Sequence, residues 1–308
     1  MTLDPQIAEL VEALDQGFPP VHTMTGAEAR TVIRSRFVPN PNPEPVSHVA
    51  DHRVAVADGS IKVRVYRPAS SEPLPILVYA HGGGFVFCDL DSHDGLCRNL
   101  ANLVPAVVIS VDYRLAPEHR WPTAAEDVFA VTEWAAAHGS ELGGDATRIA
   151  VGGDSAGGNL AAVTALMARD REGPAVAAQL LVYPVIAADF DTGSYRLFGR
   201  GFYNPRPALQ WYWDQYVPKD DDRRHPYASP LQAVLAGLPP AVIVVAGHDP
   251  LRDEGIAYAD SLTAAGVRTT RCDFEGGIHG FLTMPMLDLA HQARREASRA
   301  LSELLNHG

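Results

Sequence analysis

The sequence predicts an α/β fold: a mainly parallel central sheet with helices on both faces and a small helical cap. Three observations carry that prediction. Short, mostly apolar runs at residues 74–80, 106–111, 149–151, 180–183 and 241–246 suit strands that are buried on both sides. Helical patterns lie between most of them, notably at 92–103, 122–138, 155–169 and 251–265, which is the βαβ alternation of a parallel sheet. The alternation breaks once, between Pro184 and about Pro226, where eight of the chain's 24 phenylalanines, tyrosines and tryptophans fall within 22 residues.

The chain opens with an arm. Residues 4–17 place Ile7, Leu10, Val11 and Leu14 on one face, and Pro5 suits a first turn, so the spacing predicts an amphipathic helix. A second helix is expected from Thr25 to about Phe37, with Ala29, Val32, Ile33 and Phe37 at helical spacing. The run Pro39-Asn40-Pro41-Asn42-Pro43-Glu44-Pro45 stops any helix and acts as an extended linker, which makes 1–45 separable from the rest. Alternation at Val54 and Val56, and again at Ile61, Val63 and Val65, joined at Asp58-Gly59-Ser60, predicts an antiparallel hairpin at one edge of the sheet. The more mixed run 268–274 supplies a last strand. The core is then 46–185 with 227–308, and 186–226 is inserted into it. Within the insertion Leu209, Tyr212, Trp213 and Tyr216 share a helical face, either to pack on the core or to line an apolar pocket. For any one of these aromatics burial is the commoner fate. The run Asp220-Asp221-Asp222-Arg223-Arg224 reads as a solvated turn.

Composition narrows the class. A hydrophobic content of 46% over 308 residues supports one large α/β domain with a small insertion. The net charge is −12, with Lys62 and Lys219 the two lysines, so the chain lacks the basic face that nucleic acid or an anionic membrane needs. No basic start leads into an apolar block, and no apolar run approaches the roughly 20 residues of a membrane helix. A soluble, cytoplasmic protein is the expectation. Cys88, Cys97 and Cys272 are odd in number and lack ligand spacing, so they read as free packing thiols rather than a disulfide framework or a zinc site.

The chemistry centres on Gly152-Gly153-Asp154-Ser155-Ala156-Gly157-Gly158, which follows an apolar strand and opens a helix of small residues. A serine at such a strand-turn-helix corner is a nucleophile elbow, in which flanking glycines let the turn tighten until the hydroxyl projects above the sheet. The pentapeptide alone is equally explained as a glycine-rich connection, so the rest of the chain decides. After the strand ending at Ala80 comes His81-Gly82-Gly83-Gly84-Phe85. The amides of Gly83 and Gly84, with that of Ala156, are the expected donors to a tetrahedral oxyanion. A phosphate-binding turn would need the P-loop lysine or GxGxxG spacing, and neither is present. For the acid, Asp249 sits just past the strand at 241–246, whereas Asp253 and Glu254 fall in a first helical turn that favours acids for structural reasons. Among twelve histidines, His279 follows the last strand in Gly276-Gly277-Ile278-His279-Gly280-Phe281 and completes the order Ser, Asp, His. His248 adjoins the acid and His291 lies on a C-terminal helix. Because a free imidazole titrates near pH ~6.5, activity should fall as pH drops through about that region. Such hydrolysis needs neither a metal nor an organic cofactor.

With these residues in hand the chain resembles the hormone-sensitive-lipase-like (family IV) bacterial carboxylesterases of the α/β-hydrolase superfamily. The likeness rests on His81-Gly82-Gly83-Gly84-Phe85, Asp112-Tyr113-Arg114-Leu115-Ala116-Pro117-Glu118, Gly153-Asp154-Ser155-Ala156-Gly157-Gly158, Asp249-Pro250-Leu251-Arg252-Asp253-Glu254 and His279-Gly280-Phe281, and spans about residues 45–285. It implies an α/β-hydrolase fold with a cap, hydrolysis of small-molecule esters with short to medium acyl chains, and often a homodimer. One departure is Arg120, where family members usually carry proline. An arylformamidase, amidase or lactonase would use the same triad. A small-molecule receptor on this fold lacks the histidine, which here is present.

Overall fold

The computed structural model describes residues 2–306; Met1, His307 and Gly308, at the outer ends of the terminal bounds given above, lie outside the described residues. Eight strands form one sheet: β1 (His48–Val56), β2 (Gly59–Arg67), β3 (Leu74–Ala80), β4 (Val107–Asp112), β5 (Gly144–Asp154), β6 (Val176–Val182), β7 (Ala241–His248) and β8 (Thr269–Ile278). Their order is β1-β2-β4-β3-β5-β6-β7-β8. The predicted edge hairpin is present, with Val54 opposite Ile61. Its second strand, β2, runs antiparallel to both β1 and β4, and the remaining pairings are parallel.

Nine α-helices, α1 (Pro5–Gly17), α2 (Gly26–Ser35), α3 (Asp94–Leu103), α4 (Thr123–His138), α5 (Ala156–Asp170), α6 (Gly193–Phe198), α7 (Arg206–Tyr216), α8 (Arg252–Ala264) and α9 (Asp288–Asn306), and five short 3-10 turns lie among the described residues. The apolar strands lack alternation because both faces are covered. In β3, Ile76, Val78 and Ala80 join one core with residues of α4 and α5, while Leu77 and Tyr79 join another with α3 and α9. Cys97 and Cys272 are buried, Cys88 is partly so, and all three are free. Burial pushes the Cys88 and Cys97 thiols up to about 12, which keeps them protonated and inert.

Two strands run further than the sequence pattern suggests. The apolar run 149–151 is only the middle of β5, which continues through Gly152 and Gly153 to Asp154. The glycines stay in the strand by pairing with Tyr79 and Ala80 of β3 and Leu180 and Leu181 of β6, and α5 returns close enough that a Cβ on Gly157 would lie 1.9 Å from the Ala80 carbonyl oxygen, and one on Gly153 2.4 Å from Gly157. Likewise β8 does not stop at residue 274 but runs to Ile278, so His279 is carried on the end of a strand.

The arm and the insertion meet each other. Thr25 and Glu28 form a capping box at the start of α2, and Arg30 on its face donates to the carbonyls of Val86 at 3.1 Å and Ala116 at 2.9 Å and pairs with Glu118. In the insertion, the Tyr203 amide donates to Asp15 at 3.2 Å and its ring meets Phe18 edge-on at 5.3 Å. The predicted solvated turn holds for Asp220, Asp221 and Arg224, which are exposed, but Arg223 is tucked in, donating to the Val217 carbonyl at 2.8 Å and to Asp214 at 2.6 Å. No helix among the described residues is long and apolar enough to cross a membrane.

Candidate active site

The corner between β5 and α5 holds Ser155 at φ 55° and ψ −116°, a strained region for any residue with a side chain. The amide of Ser155 is fixed by the Val182 carbonyl at 2.9 Å, so the strain is held by the neighbouring strand. Opposite it, His279 at the end of β8 places Nε2 2.9 Å from Ser155 Oγ and Nδ1 2.7 Å from Asp249 Oδ2. Asp249 is fully buried just past β7, and its Oδ1 accepts the Leu251 amide at 2.8 Å. The three predicted residues therefore come from the carboxyl ends of three parallel strands and form one hydrogen-bonded chain.

The alternatives lie elsewhere. Asp253 accepts from the Ser194 amide at 2.7 Å and anchors the insertion. His248 directs Nδ1 to the Glu275 carbonyl at 2.9 Å and packs against Phe198 and Phe202. His291 is exposed and faces the Pro285 carbonyl at 3.0 Å.

Gly83 and Gly84 line the cavity together with Ser155 and His279, Ala156 follows the serine in the chain, and none of the three amides donates to a protein acceptor among the described residues. Ala156 opens α5, whose N-terminal dipole adds positive potential there. Gly84 stands at φ 59°, and a Cβ on it would meet the Tyr212 ring at 2.4 Å, so α7 lies directly over this loop. Below the loop, Tyr113 stacks on His81 with ring centres 4.3 Å apart and donates to the His81 carbonyl at 2.8 Å. Burial, helped by the neighbouring His93, pushes the His81 imidazole down to about 4, and its Nδ1 donates to the Gly82 carbonyl at 2.7 Å.

The cavity measures about 120 Å³, with Phe87, Tyr183, Tyr203 and Tyr212 among its walls. Tyr203 and Tyr212 thus line it, while Trp213 and Tyr216 pack inward, Tyr216 stacking on Phe85 at 3.9 Å. The shared helical face of α7 serves both uses that the sequence left open. Among the described residues no group of three or more His, Cys, Asp or Glu side chains is disposed to hold a metal ion.

A family model for the alpha/beta hydrolase fold matches residues 77–283, a span that includes Ser155, Asp249 and His279. The chain belongs to the α/β-hydrolase family. It is 45% identical over 263 residues to the carboxylic ester hydrolase LipN of Mycobacterium tuberculosis, covering 83% of this chain and 70% of that one. The ethyl acetate hydrolase of Pseudomonas putida is 37% identical, covering 92% of this chain and 93% of its own length. Among solved structures, the hyperthermophilic esterase of the archaeon Pyrobaculum calidifontis superposes with a TM-score of 0.91 at 40% identity, covering 99% of each chain. These likenesses place the hydrolase with the hormone-sensitive-lipase-like carboxylesterases, as its motifs lead one to expect.

Sequence reasoning leaves one part of the hydrolase's site without a role. Asp154, beside Ser155, is buried and accepts the Tyr79 hydroxyl at 2.9 Å, the Gly82 amide at 3.1 Å and His93 Nε2 at 3.2 Å. Burial pulls its carboxyl upward, but His93 and the hydrogen bonds from His93 and Tyr79 outweigh that and hold it below the usual carboxylate range. Asp154 thereby ties the elbow to the first residue of the glycine loop. Its signal in the sequence is only its place beside the serine, and His93 has none among twelve histidines.

Proposed function

We propose that this chain is a serine carboxylesterase acting on small-molecule esters with short to medium acyl chains. His279 Nε2 takes the Ser155 proton as Oγ bonds to the ester carbonyl carbon, and the carbonyl oxygen becomes an oxyanion that receives the amides of Gly83, Gly84 and Ala156. The tetrahedral intermediate collapses, His279 returns the proton to the departing alcohol, and the acyl group stays on Ser155. Water then gives a proton to His279 and attacks the acyl carbon, which releases the acid and restores the serine. Asp249 holds the imidazole tautomer through Nδ1 and stabilises its cation. Residues 1–45 and 186–226 form the cap in this reading, since Tyr203 and Tyr212 wall the cavity and Phe18 and Asp15 touch Tyr203.

One observation carries the proposal: the unbroken Asp249–His279–Ser155 chain, at 2.7 and 2.9 Å, ends in a cavity that Gly83 and Gly84 also line. Replacing Ser155 by Ala should lower hydrolysis of p-nitrophenyl butyrate by roughly 10⁴- to 10⁶-fold with the melting transition retained. Near-normal turnover of that variant would overturn the assignment, as would failure of an organophosphate to label Ser155 in the parent. The small cavity and the likeness to an ethyl acetate hydrolase support short acyl chains; a rate maximum at dodecanoate across p-nitrophenyl esters would contradict them. A cytoplasmic location, in keeping with three free thiols, and a homodimer complete the proposal, checked by fractionation and by light scattering.

A further inference from the structure

A second and larger cavity, about 1000 Å³, lies beside the proposed catalytic one, between the proline-rich linker after α2, the loop entering α3, and α9. Its walls are of two kinds. Phe37, Val38, Leu96 and Pro285 give it apolar surface, and Arg294 on α9 gives it a buried cation. Arg294 is only 6% exposed. Its Nε donates to the Leu282 carbonyl at 2.8 Å, and no carboxylate among the described residues forms an ion pair with it. A guanidinium carries five N–H donors, so most of its hydrogen-bonding capacity is left over.

The acids that border the cavity are already engaged. Asp91 bridges Arg34 at 2.7 Å and Arg64 at 3.0 Å. Asp94 accepts from Arg98 at 2.7 Å and from the Tyr66 hydroxyl at 2.9 Å. Glu44 accepts from the amides of Asn99 and Asn102 at 2.9 and 2.6 Å. Arg294 is left as the cation in want of a counter-charge, and a buried charge without one is costly. Burial accordingly draws its pKa down, against weaker opposing effects of Tyr183, Tyr79 and Glu44.

Two features connect this cation to the chemistry. Thr283 lines both cavities, and the carbonyl that Arg294 holds belongs to Leu282, three residues after His279. The apolar walls suit an organic ligand rather than a bare inorganic ion, and the acids on the rim disfavour a dianion. The planar fork of a guanidinium matches a carboxylate. We propose that Arg294 is the anchor of a carboxylate subsite, so that this hydrolase favours half-esters of dicarboxylic acids, with the ester in the inner cavity and the free acid in the outer one. The proposal rests on the ester-hydrolase reading of Ser155.

The test compares kcat/KM for the p-nitrophenyl half-esters of succinate, glutarate, adipate and suberate with that for neutral p-nitrophenyl esters of matched length. Each variant's neutral ester serves as its own reference. At least one half-ester should exceed its neutral match in the parent, and in Arg294→Gln that ratio should fall roughly tenfold, as expected for a lost charge-assisted hydrogen bond. Val38, 83% exposed at the cavity wall, allows a second variant without disturbing the core: Val38→Glu should lower the same ratio several-fold. An unchanged ratio in Val38→Glu, with Arg294→Gln either unchanged or unfolded, overturns the subsite. Calorimetric titration of adipate reads it without turnover. Binding to Ser155→Ala that disappears in Arg294→Gln supports the subsite even if the ester-hydrolase reading fails. Equal binding to the parent and Arg294→Gln overturns the subsite while leaving ester hydrolysis standing.

Discussion

The floor and the roof of the proposed catalytic cavity are built on different principles. At the floor, where β3, β5 and α5 converge, backbone touches backbone: Gly153 and Gly157 leave no room for one added carbon. The roof, formed by the arm and the insertion, is held by side chains, among them Tyr212 over the glycine loop, Tyr203 against Phe18 and Arg30 on two carbonyls. Backbone contacts admit one residue type, whereas side-chain contacts can be remade by others of similar size. A lineage can therefore vary the roof, and with it the substrate, while the floor and its chemistry stay fixed.

The sharpest way to break this contrast is Gly157→Ala. The new carbon would sit 1.9 Å from the Ala80 carbonyl oxygen and 2.6 Å from that of His81, both backbone atoms that cannot swing away. The expected cost exceeds about 4 kcal/mol, enough to remove cooperative unfolding from a marginal fold. Gly95→Ala in α3 is the control, because nothing lies within 4 Å of its Cβ position. It should be neutral or stabilising by up to about 1 kcal/mol. A Gly157→Ala protein that melts like the control would show that the floor can yield.

Gly84→Ala probes the place where floor and roof meet. The added methyl collides with the Tyr212 ring and must adopt a left-handed backbone. If the loop moves, the oxyanion donor proposed at Gly84 moves with it, and turnover should fall roughly 10²- to 10³-fold. Removing the ring in the double variant Gly84→Ala, Tyr212→Ala takes away the collision and leaves only a backbone cost of about 1 kcal/mol, so rates should recover by at least tenfold relative to Gly84→Ala alone. Additive losses in the full double-mutant cycle would mean that the roof does not constrain the loop.

The same contrast explains how much could be read in the sequence. Floor residues announce themselves, since glycines at 82–84, 153 and 157 are demanded by geometry and the corner serine stands between two of them. The order of Ser155, Asp249 and His279 is nearly as plain, because the first two follow apolar runs that suit buried strands and His279 follows the last, more mixed one. What stayed hidden depends on side chains meeting across the chain: Asp154 reaches Tyr79, 75 residues away, and His93, 61 residues away. The same holds for strand ends. The continuation of β5 through Gly152 and Gly153 is set by their pairing with β3 and β6, which no local pattern records.

Acid sensitivity separates the two regions by a smaller margin. His81 belongs to the floor, and burial lowers its pKa to about 4 from an ordinary value of 6.5. The unfolded chain then binds more protons between those values, so stability is fully present above pH ~6.5, declines as pH falls and is lost by about pH 4, a total of roughly 3 kcal/mol. Urea titrations at pH 7 and pH 4.5 should show that decline. His81→Phe keeps a ring to stack on Tyr113 and should flatten the decline by His81's share, whatever its stability at pH 7. An equally steep decline in the variant would place the acid-sensitive group elsewhere.

The mildest test falls on the roof alone. Arg30 gives two hydrogen bonds, to the Val86 and Ala116 carbonyls, and an ion pair to Glu118, whose side chain is 52% exposed. The carbonyl bonds are the part that matters, since an exposed ion pair contributes little. Arg30→Ala should cost about 1–2 kcal/mol in urea unfolding, while Glu118→Gln should stay within about 0.5 kcal/mol of the parent. If the arm acts on the chemistry only through the roof, Arg30→Ala should raise KM severalfold and leave kcat nearly unchanged. A fall in kcat with KM preserved would instead mean that the arm braces the glycine loop through Val86. Arm and floor would then be one unit, and the division between a fixed floor and a variable roof would have to be redrawn at the insertion.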